Sequence, residues 1–218
     1  MQAVNNTELI TFENWTLRVR PSQNPKRLLV LVHGLMGDEN SMWIFTRGLS
    51  SDYWMIAPRA PYTAEVGGYS WRPPHFENLN QLTFEMLGQA AEGLIRLIDA
   101  YSASVGVDAK QFDLMGFSQG AAMINVVAML YPQRVHKMCV LAGFVPSGLE
   151  KVIAKRPLEG KPVFVAHGTQ DDKVPIDHAR ASIKLLEQAG ARITYCEDEV
   201  GHKLSVTCLR ALETFLQD

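Results

Sequence analysis

Ser118 stands in the pentapeptide Gly116-Phe117-Ser118-Gln119-Gly120, with a short apolar run from Phe112 before it and an apolar stretch reaching Tyr131 after it. Gly-x-Ser-x-Gly between a strand and a helix is the sequence form of a nucleophile elbow, a turn so sharp that its middle residue stands clear of the backbone. Glycines are needed at its ends because strand and helix pack too closely there for side chains. The serine would lie at a helix N-terminus, where free N–H groups and the dipole favour developing negative charge. A serine hydroxyl is a poor nucleophile until a base takes its proton during attack. His202 can supply that base, and Asp171, Asp172 or Asp198 can supply the carboxylate that orients it.

The elements that must position these groups follow from periodicity. Trp15–Arg20 alternates apolar and polar residues, as an edge strand with one solvated face does. Leu28–Val32 is continuously apolar, the mark of a strand covered on both faces. Tyr53–Ala57, the run ending in the elbow, Val135–Ala142, Pro162–Gly168 and Ile193–Cys196 read as further strands. Phe84, Leu87, Ala91, Leu94, Ile98 and Tyr101 recur at helical spacing. Further helices are expected after the elbow, over Ile176–Ala189 and over Lys203–Leu216. Strands alternating with helices predict an α/β fold with a mostly parallel, doubly wound sheet and helices on both faces. No repeat, linker or cap insertion interrupts it, so residues 1–218 read as one domain. The long stretch Tyr62–Asn78 has no periodicity, and such loops usually carry function.

Ligands in open α/β sheets bind at the carboxyl ends of the strands. Ser118, the loop from Thr169 to Pro175 and His202 each lie just past such an end. The order Ser, Asp, His is that of α/β-hydrolases rather than of trypsin-like or subtilisin-like enzymes. The elbow, together with His33-Gly34-Leu35, His167-Gly168-Thr169-Gln170-Asp171, Val174-Pro175 and Gly201-His202, resembles the phospholipase/carboxylesterase family of α/β-hydrolases from about Leu28 to the C-terminus. That family includes acyl-protein thioesterases and bacterial carboxylesterases. The resemblance puts the triad on Ser118, Asp171 and His202, although Asp172 stands where relatives often have a small residue or proline. One oxyanion donor is expected at the backbone N–H of Gln119 and the other in the loop after the His33-Gly34 strand. The resemblance puts the second on Leu35. It also suggests Trp71 as a wall of the substrate pocket, with Met36 and Phe144 as weaker pocket candidates. His33 and His167 read as structural, and His75, His136 and His178 as surface or helix-start residues, because none has metal-ligand spacing.

These residues imply a serine hydrolase that cleaves carboxylic esters of short to medium acyl chains through an acyl-enzyme. Thioesters and lysophospholipids are close alternatives. A non-catalytic binding protein would not need all three residues, and dienelactone-hydrolase-like relatives usually present Cys where this chain has Ser118. No metal or organic cofactor is implied, and the expected partner is a small-molecule ester, with the chain a monomer or homodimer. A net charge of −2 gives no footprint for nucleic acid. No apolar run approaches the ~18 residues that suggest a membrane span. Three unevenly spaced cysteines, Cys139, Cys196 and Cys208, read as buried free thiols. With no secretory signal visible in the N-terminal residues, a reducing cytoplasm is expected.

Overall fold

The computed structural model describes residues 6–74 and 82–217. The described residues form ten strands: β1 (Glu8–Phe12), β2 (Trp15–Arg20), β3 (Arg27–Val32), β4 (Tyr53–Pro58), β5 (Tyr62–Thr63), β6 (Tyr69–Ser70), β7 (Phe112–Phe117), β8 (Val135–Leu141), β9 (Pro162–Gly168) and β10 (Arg192–Asp198). The helices are α1 (Phe84–Val105), α2 (Gln119–Leu130), α3 (Glu150–Ile153), α4 (Ile176–Gln188) and α5 (Val206–Gln217). Eight strands form one sheet in the order β1-β2-β4-β3-β7-β8-β9-β10. The β1–β2 and β2–β4 pairings are antiparallel, and the rest are parallel. This is the mostly parallel α/β sheet that the alternation predicts, with the antiparallel pairings at one edge.

Side-chain alternation along the central strands builds a core on each face. Leu28, Val30 and Val32 of β3, with Leu114 and Val140, pack against α1, α2 and the end of α4. Leu29 and Leu31, with Met115, Cys139 and Phe164, pack against α5 and the 3₁₀ turn Ser41–Thr46. Helix α2 is buried through almost its whole length, because it lies beside the sheet beneath α1. That explains why its sequence is apolar all round rather than striped.

Three expectations need correction. Strand β2 is not the edge: β1 pairs with it through a tight hairpin, Phe12 opposite Trp15. β1 is short and largely exposed, so its alternation is lost in a polar N-terminal context. The final helix begins at Val206, which leaves His202 in a loop. The cysteines are not all free: Cys196 of β10 is disulfide-bonded to Cys208 of α5, and only Cys139 remains a buried thiol. The pair escaped notice because neither spacing nor motif announces it; strand and helix meet only in the fold. Iodoacetamide labelling of denatured protein should add one group without reductant and three after reduction. Three groups without reductant would show that the disulfide is not formed.

At the far end of the sheet from Ser118, a buried carboxylate ties β7 to its neighbours. Asp113 is fully buried and accepts hydrogen bonds from Tyr53 Oη at 2.9 Å and from the Lys137 N–H at 3.0 Å, with His136 Nδ1 at 2.9 Å. The Tyr53 hydroxyl also lies 2.9 Å from the Leu216 carbonyl. Burial first, then the Asp113 charge, pushes the phenol well above its usual range. Tyr53→Phe should therefore cost about 1–3 kcal/mol, the penalty for buried acceptors left unpaired, read as a lower urea midpoint.

Candidate active site

The elbow forms as its sequence implies. Ser118 has φ 54° and ψ −118°, between the end of β7 and the first residue of α2. Few non-glycine residues adopt such a backbone, and strain of this kind collects at functional sites. The neighbouring structure enforces it: Ser118 N–H donates to Leu141 O at 2.9 Å, while Ser118 O accepts from Ala121 and Ala122 N–H at 3.0 and 3.1 Å. The backbone N–H of Gln119, next in the chain, has no acceptor among the described residues.

The loop after β3 supplies a second unpaired donor. Gly37 N–H donates to Gly34 O at 3.0 Å, closing a turn with Leu35 and Met36 at its centre. Met36 has φ 66°, the left-handed value that a type II turn requires at its third residue. Strand β6 fixes the turn, since Met36 N–H donates to Tyr69 O and Tyr69 N–H to Gly37 O. The Leu35 N–H has no acceptor among the described residues.

His33 braces this loop. Its Nδ1 lies 2.7 Å from Gly34 O and its Nε2 accepts from the Ala60 N–H at 3.0 Å, a pairing that only the neutral Nδ1–H tautomer satisfies. Burial, only partly offset by the Gly34 hydrogen bond, lowers its pKa and keeps it neutral. Arg59 grips Glu39 through two hydrogen bonds of 2.7 and 2.9 Å and covers the Tyr69 ring at 4.6 Å.

Asp171 and His202 meet on the neighbouring loops. Asp171, just past β9, accepts from the Lys173 and Val174 N–H groups at 2.9 Å each. Its other oxygen lies 2.7 Å from His202 Nδ1, with His167 Nε2 at 3.4 Å. Asp172 is paired with Lys173 on the surface, and of these two neighbours it is Asp171 that lies against His202. Burial by itself would raise the Asp171 pKa. The Val174 N–H, His202 and the Lys173 N–H outweigh it and hold the carboxyl below its usual range. A carboxyl whose folded pKa is depressed contributes stability above its unfolded pKa and loses it as pH falls through the folded value. Asp171→Asn should therefore unfold more readily than the parent protein near neutral pH, with the gap shrinking under acid; a constant gap between pH 7 and pH 3 would contradict this.

His202 rests on the Phe117 ring at a centroid distance of 4.9 Å, and Phe117 stacks on Phe45 at 5.5 Å. Ser118 and His202 line one open cleft of about 320 Å³, walled by Met36, Met42, Ile44 and Phe45. Among the described residues no hydrogen bond joins Ser118 Oγ to His202. Such contacts are often loose until substrate binds.

Met36 lines the cleft, as expected. Trp71 does not: it is fully buried, and its Nε1–H donates to His33 O at 2.8 Å, so it holds the end of β3 behind the Gly34–Gly37 turn. Phe144 is half-buried against the core and meets His178 edge-on at 6.1 Å, outside the cleft lining. His178 opens α4 and His136 lies on β8, while His75 is outside the described residues.

The sequence reading missed Phe117, Phe45 and the Gln119 side chain. Gln119 Oε1 accepts from Trp71 N–H at 2.9 Å and its Nε2–H donates to Ser70 Oγ at 3.2 Å, locking the 70–72 segment to the elbow. Only burial shows these roles. Among the described residues no group of three or more His, Cys, Asp or Glu side chains could hold a metal ion. A larger cavity, about 510 Å³, opens at the opposite ends of the strands among Lys26, Arg27, Tyr53 and His136.

Residues 17–218 match the Phospholipase/Carboxylesterase family. The chain belongs to this family. Acyl-protein thioesterase 1 of Debaryomyces hansenii is 29% identical over 194 residues, 80% of this chain and 82% of its own. Carboxylesterase SOBER1 of Arabidopsis thaliana is 28% identical over 132 residues, 59% of this chain and 57% of its own. A solved carboxylesterase from Mesorhizobium loti superposes with a TM-score of 0.84 over 98% of this chain and 99% of that one, at 18% identity. That of Bacillus cereus gives 0.82 over 94% of each chain, at 20% identity. Family membership makes the chain a hydrolase of the ester-cleaving class.

Proposed function

We propose a serine carboxylesterase acting through an acyl-enzyme, with residues 1–218 as one hydrolase domain. Ser118 Oγ attacks the ester carbonyl carbon while its proton passes to His202 Nε2. The N–H groups of Leu35 and Gln119 receive the oxyanion, and each such donor is worth roughly 3–4 kcal/mol of barrier. Collapse breaks the bond to the alcohol, which takes the proton back from the imidazolium. Water then attacks the acyl-serine with His202 again as base, releasing the acid and restoring the Ser118 hydroxyl. Asp171 holds the imidazole tautomer and stabilises its cation. The 2.7 Å contact between His202 Nδ1 and Asp171, in a cleft shared with the elbow serine, carries this reading.

The open cleft suits short to medium acyl chains. The same attack serves thioesters, the reading that the thioesterase relatives favour. A fluorophosphonate probe should label Ser118 and abolish hydrolysis of 4-nitrophenyl butyrate in proportion to labelling. Unlabelled protein that still hydrolyses the ester would refute the assignment.

Among the described residues no helix is long and apolar enough to cross a membrane. The cytoplasmic location proposed from sequence is opposed by the Cys196–Cys208 bond, since disulfides persist mainly in oxidising compartments. Monomer and homodimer are both compatible with the open cleft.

A further inference from the structure

Arg72 lies two residues beyond Ser70, and the stretch between them is held rigidly. Gln119 fixes Ser70 and Trp71 from the elbow side, while Ser70 Oγ donates to Arg72 O at 3.0 Å and accepts from Arg72 N–H at 3.2 Å. Arg72 lines a second depression, about 190 Å³, that shares Leu35 and Met36 with the cleft of Ser118 and His202 and continues past Val66. Arg72 Nη1 is buried and has no hydrogen-bond partner among the described residues. Burial lowers the Arg72 pKa, and the charge of Glu65, which lines the same depression, offsets this only in part. Glu65 is exposed at the hairpin tip and forms no ion pair with Arg72 among the described residues. A desolvated guanidinium without a partner is costly unless a ligand completes it.

We propose that Arg72 is an anion-recognition residue for the acyl half of the substrate, so that the esters preferred are half-esters of dicarboxylic acids. This rests on the serine-esterase reading and adds a substrate class to it. The direction follows from the two depressions. The leaving alcohol must lie near His202, which protonates it, and His202 borders only the cleft on the Phe117 side. The acyl chain therefore runs the other way, across Leu35 and Met36, where a terminal carboxylate meets the Arg72 fork. Bidentate pairing of guanidinium with carboxylate supplies both strength and direction.

The test compares kcat/KM for 4-nitrophenyl half-esters of succinate, glutarate and adipate with the neutral 4-nitrophenyl esters of equal chain length. The parent protein should prefer at least one half-ester, and Arg72→Gln should lower that charged-to-neutral ratio by roughly 10-fold or more, mainly through KM. Arg72→Lys, which keeps the charge and loses the fork, should fall between. An unchanged ratio in Arg72→Gln overturns the proposal. So does a selective loss on 4-sulfophenyl butyrate, whose charge leaves with the alcohol. Should Arg72→Gln fail to fold, glutarate must still inhibit parent hydrolysis of 4-nitrophenyl butyrate at least about 10-fold more strongly than butyrate does, and equal inhibition overturns the proposal. Should no ester be cleaved at all, the esterase reading fails by itself, while a melting-temperature rise with glutarate in the parent and not in Arg72→Gln still decides the anion site.

Discussion

Ser118→Ala should reduce hydrolysis of 4-nitrophenyl butyrate by on the order of 10⁴–10⁶-fold, because no other hydroxyl occupies the elbow. The fold should survive, since Ser118 Oγ makes no hydrogen bond among the described residues and alanine keeps the Cβ. The backbone bonds that hold φ at 54° are also unaffected by the change. His202→Ala should cost a similar factor, and the double variant should be scarcely worse than either single one. Residues that act as a unit are non-additive in this way. Losses that multiplied across the pair would mean that serine and histidine act separately, which the acyl-enzyme scheme does not allow. An Ser118→Ala rate within 10-fold of the parent's would remove the scheme altogether.

Gly120→Ala should have the largest effect on stability. A methyl group there would sit 2.1 Å from Val32 O and 2.5 Å from His33 O. Both oxygens are backbone of β3 and its loop, so neither can swing aside. The same crowding holds at Gly116, where a Cβ would lie 2.3 Å from Gly120 O. Overpacking typically costs 1–3 kcal/mol, occasionally more, and a backbone clash belongs at the upper end. About 3 kcal/mol would lower the melting temperature by roughly 6–12 °C in a chain of this size. Activity should fall too, because pushing α2 from β3 separates the Gln119 and Leu35 N–H groups that must converge on one oxygen. A normal melting temperature for Gly120→Ala would show that the elbow is looser than its contacts imply.

Much of this was legible from the residues because local pattern and tertiary need coincide. The elbow's glycines, the buried strands and the order of Ser118, Asp171 and His202 are each dictated by short-range chemistry. What escaped depends on distant partners. β1 becomes a strand only through its pairing with β2, and Trp71 turns inward because His33 O waits for its indole N–H. Cys196 and Cys208 pair because β10 and α5 bring them together. The Arg72 guanidinium draws attention only once its missing partner is visible. Resemblance to relatives chose Asp171 over Asp172, and it is Asp171 that lies against His202, whereas the same resemblance misdirected Trp71 toward the pocket.

The covalent ring closed by Cys196 and Cys208, 12 positions apart, has His202 within it. Linking a segment of that length removes on the order of 3 kcal/mol of freedom from the unfolded chain; in the folded one it ties the loop that carries His202 at both ends, to β10 and to α5. Thiol reductants should consequently act as a throttle on turnover, slackening the tether and lowering kcat at temperatures where the sheet itself stays intact.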